Sequence, residues 1–436
     1  MPAEHRITVL DGGVRVVTEA MPSVRSVSLG FWIGVGSRAE SEAEAGLSHL
    51  LEHLLFKGSS KYGSLEIDQI FDSMGAELNA GTGKETTSVY ARVIDEHVPD
   101  AFDVMADMVF RPALEDVDSE RAVILEEIAM YEDDPQEKVF DVLGSAIFGE
   151  HPLGRAIIGR AEVIADTPVT QIAAFHAGRY VPANVVIAAA GAVEHDAIVA
   201  LARERVPGGG DADVPSAGVG PAGPEAPGAL APRRRFERKD TEQYHVCVGG
   251  VGLSRHDDRR FALRVLDTIF GGTSSSRLFQ EVRERRGLAY SVYSFTSAYR
   301  DTGQVGLYVG TRADNLEEAL AVVGSELERM RRSSVSDEEL SRAKENLKGR
   351  VVLALESTGA RMNRLGSEVL AGAPIMSLDE LVARIDAVTA QEIAALVEEL
   401  WAVERLSAAG IGPDEARFEQ AVGALEPALA SGASGA

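Results

Sequence analysis

Two histidines and a glutamate stand close together in an apolar segment, in the order His49, Glu52 and His53. The pattern predicts a helix with Lys57 in its last turn and Gly58 as the residue that stops it. Residues four apart lie on one helix face, so both imidazoles would point the same way. Two imidazoles and one carboxylate can hold a zinc ion and leave its fourth position open for water. Glu52 would then be close enough to take a proton from that water.

Core histidines with satisfied hydrogen bonds are the competing interpretation of this segment. The crowding of the three titratable groups favours the metal. They fall within little more than one helical turn, and the residues around them are apolar: Leu50, Leu51, Leu54 and Leu55. Such groups are costly to bury without a metal or polar partners.

A third ligand is expected from a second predicted helix, which opens at Asp118 and Ser119 with residues that favour a helix start. Glu120 and Glu127 are seven residues apart and therefore share one face of this helix. Glu126 is rotated by about 100° from Glu127 and should point elsewhere. A carboxylate on a partly apolar face needs a partner, and zinc would be one. A solvated acidic helix is the alternative.

Composition limits the class of protein. The chain has 436 residues, of which 45% are hydrophobic and 25% charged, and this is too long for a single core. Its one cysteine, Cys247, allows no intrachain disulfide and suits a reducing compartment. We see no secretory or transit segment and no apolar stretch of about 18 residues, so we expect a cytoplasmic protein without a membrane span.

The formal net charge of -25 speaks against nucleic acid as a partner. It fits either a solvated acidic surface or the attraction of basic peptides.

A stretch rich in Gly, Pro and Ala predicts a linker or long exposed loop at residues 206–235. The linker separates a predicted N-terminal domain, residues 1–205, from a C-terminal domain, residues 236–425. Residues 426–436 are expected to form a disordered tail.

The two sides of the linker resemble each other in the order strand, helix, strand and long helices. The matching segments are 27–36 with 246–252, the histidine helix with 261–271, and 87–93 with 303–309. We therefore predict an α+β fold of two homologous α/β sandwich domains, each a mainly antiparallel sheet backed by helices. Leu263 and Asp267 stand where the first copy has its histidines, so metal chemistry belongs to the N-terminal domain.

Together these motifs resemble the pitrilysin/insulinase family of zinc peptidases, also called inverzincins. The branch is that of two-domain chains similar to mitochondrial processing peptidase and its bacterial relatives, and the resemblance covers nearly the whole chain. The family pattern is His-x-x-Glu-His, then a Glu ligand a little over seventy residues on, with another Glu seven residues before that ligand. The resemblance implies that His49, His53 and Glu127 bind zinc, that Glu52 is the general base, and that Glu120 supports a ligand. The Glu-Arg-x-x-x-x-x-Glu form also selects Glu127 over its neighbour.

Two further elements match the family. Asn79 and Ala80 resemble an Asn-Ala pair ahead of an edge strand, here 86–93, that receives the substrate as an added strand. In the second copy, Arg283 and Tyr290 match an arginine/tyrosine element that binds substrate carbonyls and stabilises the oxyanion. An ordinary polar loop and a solvated helix end are the respective alternatives without the resemblance.

The resemblance implies a zinc-dependent endopeptidase that hydrolyses unfolded peptides in an enclosed chamber. It would carry one zinc ion per chain, with Glu52 as general base on zinc-bound water. A two-domain chain of this kind would be half of a clamshell. A homodimer is expected, in which Arg283 and Tyr290 complete the partner's site; a heterodimer with a metal-free sister chain is the rival assembly. The alternative function is a non-catalytic or partner-dependent subunit of a heterodimeric processing peptidase.

Overall fold

The computed structural model describes residues 5–207, 223–227, 230–333 and 335–425. Much of the predicted linker and the whole predicted tail, residues 426–436, lie outside the described residues. The chain forms two compact units. Among the described residues, those within 1–129, 156–224 and 351–378 form the first unit, and those within 130–155, 225–350 and 379–436 form the second.

The described residues contain eleven strands and fifteen α-helices. The strands are β1 (His5–Val9), β2 (Arg15–Ala20), β3 (Ser26–Ile33), β4 (Glu77–Thr82), β5 (Thr87–Ile94), β6 (Val185–Gly191), β7 (Arg234–Arg238), β8 (Gln243–Gly252), β9 (Ser291–Ala298), β10 (Gly303–Arg312) and β11 (Ser407–Gly412). The helices are α1 (Leu47–Leu55), α2 (Ser64–Ser73), α3 (Val98–Phe110), α4 (Val117–Asp133), α5 (Pro135–Phe148), α6 (Ala161–Asp166), α7 (Val169–Arg179), α8 (His195–Arg205), α9 (Arg260–Phe270), α10 (Leu316–Arg332), α11 (Asp337–Ala354), α12 (Thr358–Ala371), α13 (Leu378–Ala387), α14 (Ala390–Leu400) and α15 (Glu415–Gly423). Among the described residues, no helix combines the length and the apolar character needed to cross a bilayer.

The first unit is built on a six-stranded sheet in the order β1-β2-β6-β3-β5-β4. All neighbouring strands pair antiparallel except β2 and β6. One face of the sheet packs against α1 and α3 in a core that includes Phe31, Leu50 and Phe102. Strand β4 lies at one end of this order, so one side of its backbone has no neighbouring strand in the sheet.

The second unit repeats this plan with five strands in the order β7-β11-β8-β10-β9. This sheet also has a single parallel pair, β7 with β11, and its other neighbouring strands pair antiparallel. Strands β7, β11, β8, β10 and β9 thus correspond to β2, β6, β3, β5 and β4. The predicted α+β fold with two homologous sheets is confirmed. Strand β7 begins at Arg234, so it includes the last two residues of the predicted linker, 234 and 235.

Two helices each pack on a sheet that their positions in the sequence would not suggest. Helix α12 packs on β2, β3 and β6 of the first sheet. Helix α5 packs on β7, β8 and β11 of the second sheet. The predicted domains, 1–205 and 236–425, therefore differ from the compact units in residues 130–155 and 351–378. An apolar face predicts that a helix packs against another element. It does not indicate which of two similar sheets that element is.

Candidate metal centre

Helix α1 has one fully buried face and one partly exposed face. Its five leucines, Leu47, Leu50, Leu51, Leu54 and Leu55, are completely buried. The side chains of His49 and His53 are 13% and 24% exposed. The leucines fix the helix to the core, and the period of the helix then puts both imidazoles on the open side.

The start of α1 is held by Glu40, a buried carboxylate that lies ahead of the helix. Its Oε2 accepts a hydrogen bond from the Gly46 amide at 2.9 Å, and its Oε1 accepts one from the Ser48 amide at 2.7 Å. Gly46 has a φ of 103°, a left-handed conformation that favours glycine. Sequence reasoning missed Glu40. An acidic residue a few positions before a helix is the signal that could have found it.

Three donor atoms from α1 and α4 converge in the first unit. Glu127 Oε2 lies 3.8 Å from His49 Nε2 and 3.6 Å from His53 Nε2. One ligand atom from each of the three residues lies within 4.8 Å of the other two. Ligands about 2.0–2.2 Å from a tetrahedral metal lie roughly 3.3 Å from each other. Both distances to Glu127 Oε2 exceed the length of a good hydrogen bond and are close to that separation, so this donor set fits zinc.

The ionisation of His49 also suits a ligand. Burial, together with the smaller influence of the neighbouring His53, lowers the pKa of His49 to about 4. Its imidazole is therefore neutral near pH 7, which is the form that binds metals. The Nδ1 atom of His49 is buried and has no hydrogen-bond partner among the described residues.

Glu120 lies behind His53, on the side away from Glu127. Its Oε2 is 3.4 Å from His53 Nδ1, and its Oε1 is 2.9 Å from Lys57 Nζ. Glu120 is only 3% exposed, so these two partners take the place of water at its carboxylate. A carboxylate at Nδ1 favours the tautomer with the proton on that atom, which leaves Nε2 for a metal.

Glu52 lies one position before His53 on α1, and its carboxylate contacts strand β4. Thr82, the last residue of β4, donates a hydrogen bond from Oγ1 to Glu52 Oε2. Burial raises the pKa of the Glu52 carboxyl, while the Thr82 hydrogen bond acts in the opposite direction. The contact between Glu52 and Thr82 was not predicted from the sequence, because it depends on how helix α1 packs on strand β4.

The expected substrate strand is placed differently from the prediction. Asn79 and Ala80 were expected ahead of the substrate strand, and they lie within a strand of their own, β4. The following strand, β5, pairs with β3 on one side and β4 on the other, so the prediction that this strand is the edge was wrong. The edge strand is β4 itself. Within it, the Asn79 side chain accepts a hydrogen bond from the Ala80 amide at 2.8 Å.

Arg283 and Tyr290 lie together in the second unit. Arg283 belongs to a short π-helix, Phe279–Glu284, which precedes β9. The guanidinium carbon of Arg283 lies 4.5 Å from the centre of the Tyr290 ring and 4.7 Å from that of Phe279. Tyr290 is 77% exposed, which is unusual for a large ring.

Comparison with known proteins identifies the family of this chain. Residues 15–161 match the model of the insulinase family, peptidase family M16, and residues 168–347 match the peptidase M16 inactive domain. The chain belongs to the peptidase M16 family. An uncharacterized zinc protease of Streptomyces coelicolor is 44% identical to this M16 protein, over 94% of this chain and 89% of the relative. The uncharacterized zinc protease YmxG of Bacillus subtilis is 39% identical, over 89% of this chain and 94% of the relative.

The fold of this M16 chain has solved counterparts. A protease from Helicobacter pylori superposes with a TM-score of 0.88 at 20% sequence identity, covering 95% of this chain and all (100%) of that one. At this level of identity the likeness concerns the fold alone.

Proposed function

We propose that this chain is a zinc-dependent endopeptidase that hydrolyses unfolded peptides, with one zinc ion per chain. The observation that carries the proposal is the convergence of His49, His53 and Glu127, with Glu52 one residue from a ligand. Both relatives are named zinc proteases, and these names support the same metal and the same class of reaction.

His49, His53 and Glu127 would hold the ion, and Glu120 would keep His53 in the correct tautomer. Zinc, when bound, supplies a Lewis acid for the carbonyl of the scissile peptide bond. Glu52 accepts a proton from the attacking water and later gives it to the leaving amine. Its carboxylate suits this work because burial raises its pKa above the usual value. A bound cation would act against that shift.

The open side of β4 supports an extended substrate. A peptide that adds to an edge strand is bound mainly through its main chain, so little side-chain specificity is required. Asn79 and Ala80 would align the peptide there. An unfolded segment can present a free main chain, whereas a folded protein has already paired its own. Enclosure of the substrate in a chamber remains part of the proposal, and it rests on the family resemblance.

Two chains are proposed to act together as a homodimer. Arg283 and Tyr290 of one chain would complete the site of the other, where a cation and a phenol stabilise the oxyanion. The exposure of Tyr290 supports a role that involves a second molecule. A heterodimer with a metal-free sister chain is the rival assembly. We also propose a cytoplasmic location, because a chain with a single cysteine needs no oxidising compartment.

The test compares the purified chain with Glu52→Gln on a library of quenched fluorescent peptides, with zinc content and solution mass recorded for each. We expect wild-type cleavage and a loss of about 10²–10⁴-fold in the variant, because a general base is removed while the ligands remain. Glu126→Gln is the matched control, since Glu126 lies one residue from a ligand but is exposed. A zinc-loaded but inactive wild-type chain would contradict self-sufficient catalysis. Activity that appears only with a second, different chain would favour the partner-dependent subunit.

A further inference from the structure

We infer that Thr82 is a positioning residue for the general base, and that it fixes the Glu52 carboxylate to the strand on which the substrate lies. This inference rests on the proposed function. The observation that carries it is the hydrogen bond from Thr82 Oγ1 to Glu52 Oε2. Thr82 is thirty residues from Glu52 in the sequence, and strand β4 brings it there.

The hydrogen of the Thr82 hydroxyl is directed by its surroundings. Thr82 pairs with Thr87 of β5, and their Oγ1 atoms are 3.4 Å apart. Thr87 donates its own hydroxyl hydrogen to the carbonyl oxygen of Val35 at 3.0 Å. A hydroxyl has only one hydrogen to donate. Since that of Thr87 is already used, Thr87 can only accept from Thr82, and a carboxylate is a stronger acceptor than a hydroxyl. The Thr82 hydrogen therefore goes to Glu52.

A free Glu52 side chain would have several rotamers available. Three rotatable bonds separate its carboxylate from α1, so the helix alone does not fix the position of the oxygens. A hydrogen bond to one oxygen selects one arrangement and leaves further lone pairs on the carboxylate to accept a proton. Thr82 is β-branched and therefore stiff about χ1. Its position is thus suited to orient a flexible neighbour.

The strand that carries Thr82 gives this contact its functional meaning. Thr82 is three residues from Asn79 on the same strand, about 10 Å along the backbone. A peptide aligned on β4 and the carboxylate held by Thr82 would therefore share one rigid reference. Small errors in the position of a base relative to the scissile bond are costly in rate, whereas they affect binding of the ground state less.

Two substitutions separate positioning from mere support of the strand. Thr82→Val keeps the shape and β-branching but lacks the hydroxyl, and Thr82→Ser keeps the hydroxyl. We expect Thr82→Val to lower kcat by about 10–100-fold with KM changed less than about threefold. Thr82→Ser should stay within about fivefold of wild type in kcat. Zinc content and melting temperature should be close to wild type in both.

The kinetics are measured on the zinc-loaded full chain with a quenched fluorescent peptide. A Thr82→Val kcat equal to that of wild type would overturn the inference. So would equal losses in both variants together with lost zinc or a lower melting temperature, because that pattern reports a structural role.

A second measurement is independent of activity. Crystal structures of zinc-loaded wild type and Thr82→Val should show the Glu52 carboxylate in one position in wild type and in a different or divided position in the variant. An unchanged Glu52 rotamer in Thr82→Val contradicts the inference. If wild type cleaves no peptide, the proposed function fails, and the crystal comparison still decides whether Thr82 positions Glu52.

Discussion

Glu120 Oε2 lies 3.4 Å from His53 Nδ1, on the opposite side of the imidazole from Glu127. The same buried carboxylate contacts Lys57 Nζ at 2.9 Å through its other oxygen. His53 is thus flanked by two carboxylates of α4, one at each ring nitrogen. The spacing of seven residues between Glu120 and Glu127 puts both on the face of α4 that meets α1.

Removal of Glu120 should weaken zinc binding without removing a ligand. In Glu120→Ala we expect zinc affinity to fall by about 10–100-fold, because His53 loses the partner that fixes its tautomer and orientation. Competition with a chromophoric zinc chelator measures this affinity. Glu126→Ala on the exposed face of the same helix is the control and should bind zinc like wild type. Equal affinities for Glu120→Ala and wild type would contradict the supporting role.

Glu127 and Glu126 offer a sharper comparison, since they are adjacent and chemically identical. Only Glu127 Oε2 lies near both imidazoles, at 3.8 and 3.6 Å. After gel filtration without added metal, Glu127→Gln should retain less than about a tenth of the wild-type zinc, because two neutral ligands hold zinc poorly. Glu126→Gln should retain it all. Loss of zinc in Glu126→Gln but not in Glu127→Gln would reverse our assignment. Elemental analysis of both proteins gives the answer directly.

The sequence predicted the convergent groups well where spacing within a helix decides the matter. His49 and His53 share a face because they are four residues apart, and the family pattern selected Glu127. Glu40 and Thr82 were not predicted to contact this helix. Glu40 reaches the helix start through a loop, and Thr82 through the packing of β4 beside α1. Such contacts depend on tertiary geometry, which no local pattern encodes.

The fold shows the same division between local and long-range information. Alternation and periodicity predicted the repeated strand and helix order, and the matching topology of the two sheets confirms it. The strand after Asn79 was wrongly predicted to be the edge. Strand order is set by which strands pair, and the residues of β4, including Gly81, have little β propensity that would mark them as a strand of their own. The positions of α5 and α12 could not be predicted, because two homologous sheets offer similar apolar faces.

The packing of α12 on the first sheet makes a stability prediction. A Cβ added at Gly366 would come within 2.2 Å of Trp32 Nε1 in β3. Gly366→Ala should therefore lower the free energy of unfolding by about 1–3 kcal/mol through overpacking. Gly349, in the exposed middle of α11, has nothing within 4 Å of such a Cβ. Gly349→Ala should stabilise by roughly 0.5–1 kcal/mol through helix propensity. Thermal unfolding measures the stability of both variants. A Gly366→Ala protein as stable as wild type would contradict the packing of α12 at this position.

His195 should make stability depend on pH. Its Nε2 and Nδ1 lie 2.8 Å from the hydroxyls of Thr8 and Thr18. Burial lowers the pKa of His195 below its usual 6.5, and the nearby Arg6 lowers it further. The unfolded chain therefore binds a proton more readily than the folded one below pH 6.5. This contribution to stability is full above pH 6.5 and is lost as the pH falls from there towards the folded-state pKa.

The melting temperature in EDTA at pH 7.5 and at pH 5.5 measures this effect without interference from metal binding. The fall between the two values should be a few degrees smaller for His195→Gln than for wild type. His256→Gln is the matched control, because His256 is exposed. Other groups also contribute to the fall in melting temperature, so the difference between the variants carries the result. An identical fall in wild type and His195→Gln would show that His195 does not contribute.

The proposed homodimer predicts that two inactive variants can restore each other. Glu52→Gln lacks the base but keeps Arg283, and Arg283→Ala lacks the guanidinium but keeps Glu52. In a mixed dimer, the Arg283→Ala chain supplies zinc and Glu52, and the Glu52→Gln chain supplies Arg283 to that site. Each variant alone should lose about 10²-fold or more in kcat.

After subunit exchange, equal amounts of the two variants should recover up to about a quarter of wild-type activity. Half of the dimers would be mixed, and each mixed dimer would have one complete site. Mixing Glu52→Gln with a chain that carries both substitutions is the control, and it should recover nothing. If each chain instead completes its own site, the mixture of single variants stays inactive, although its solution mass remains that of a dimer. A monomeric mass for an active wild-type chain would rule out the shared site altogether.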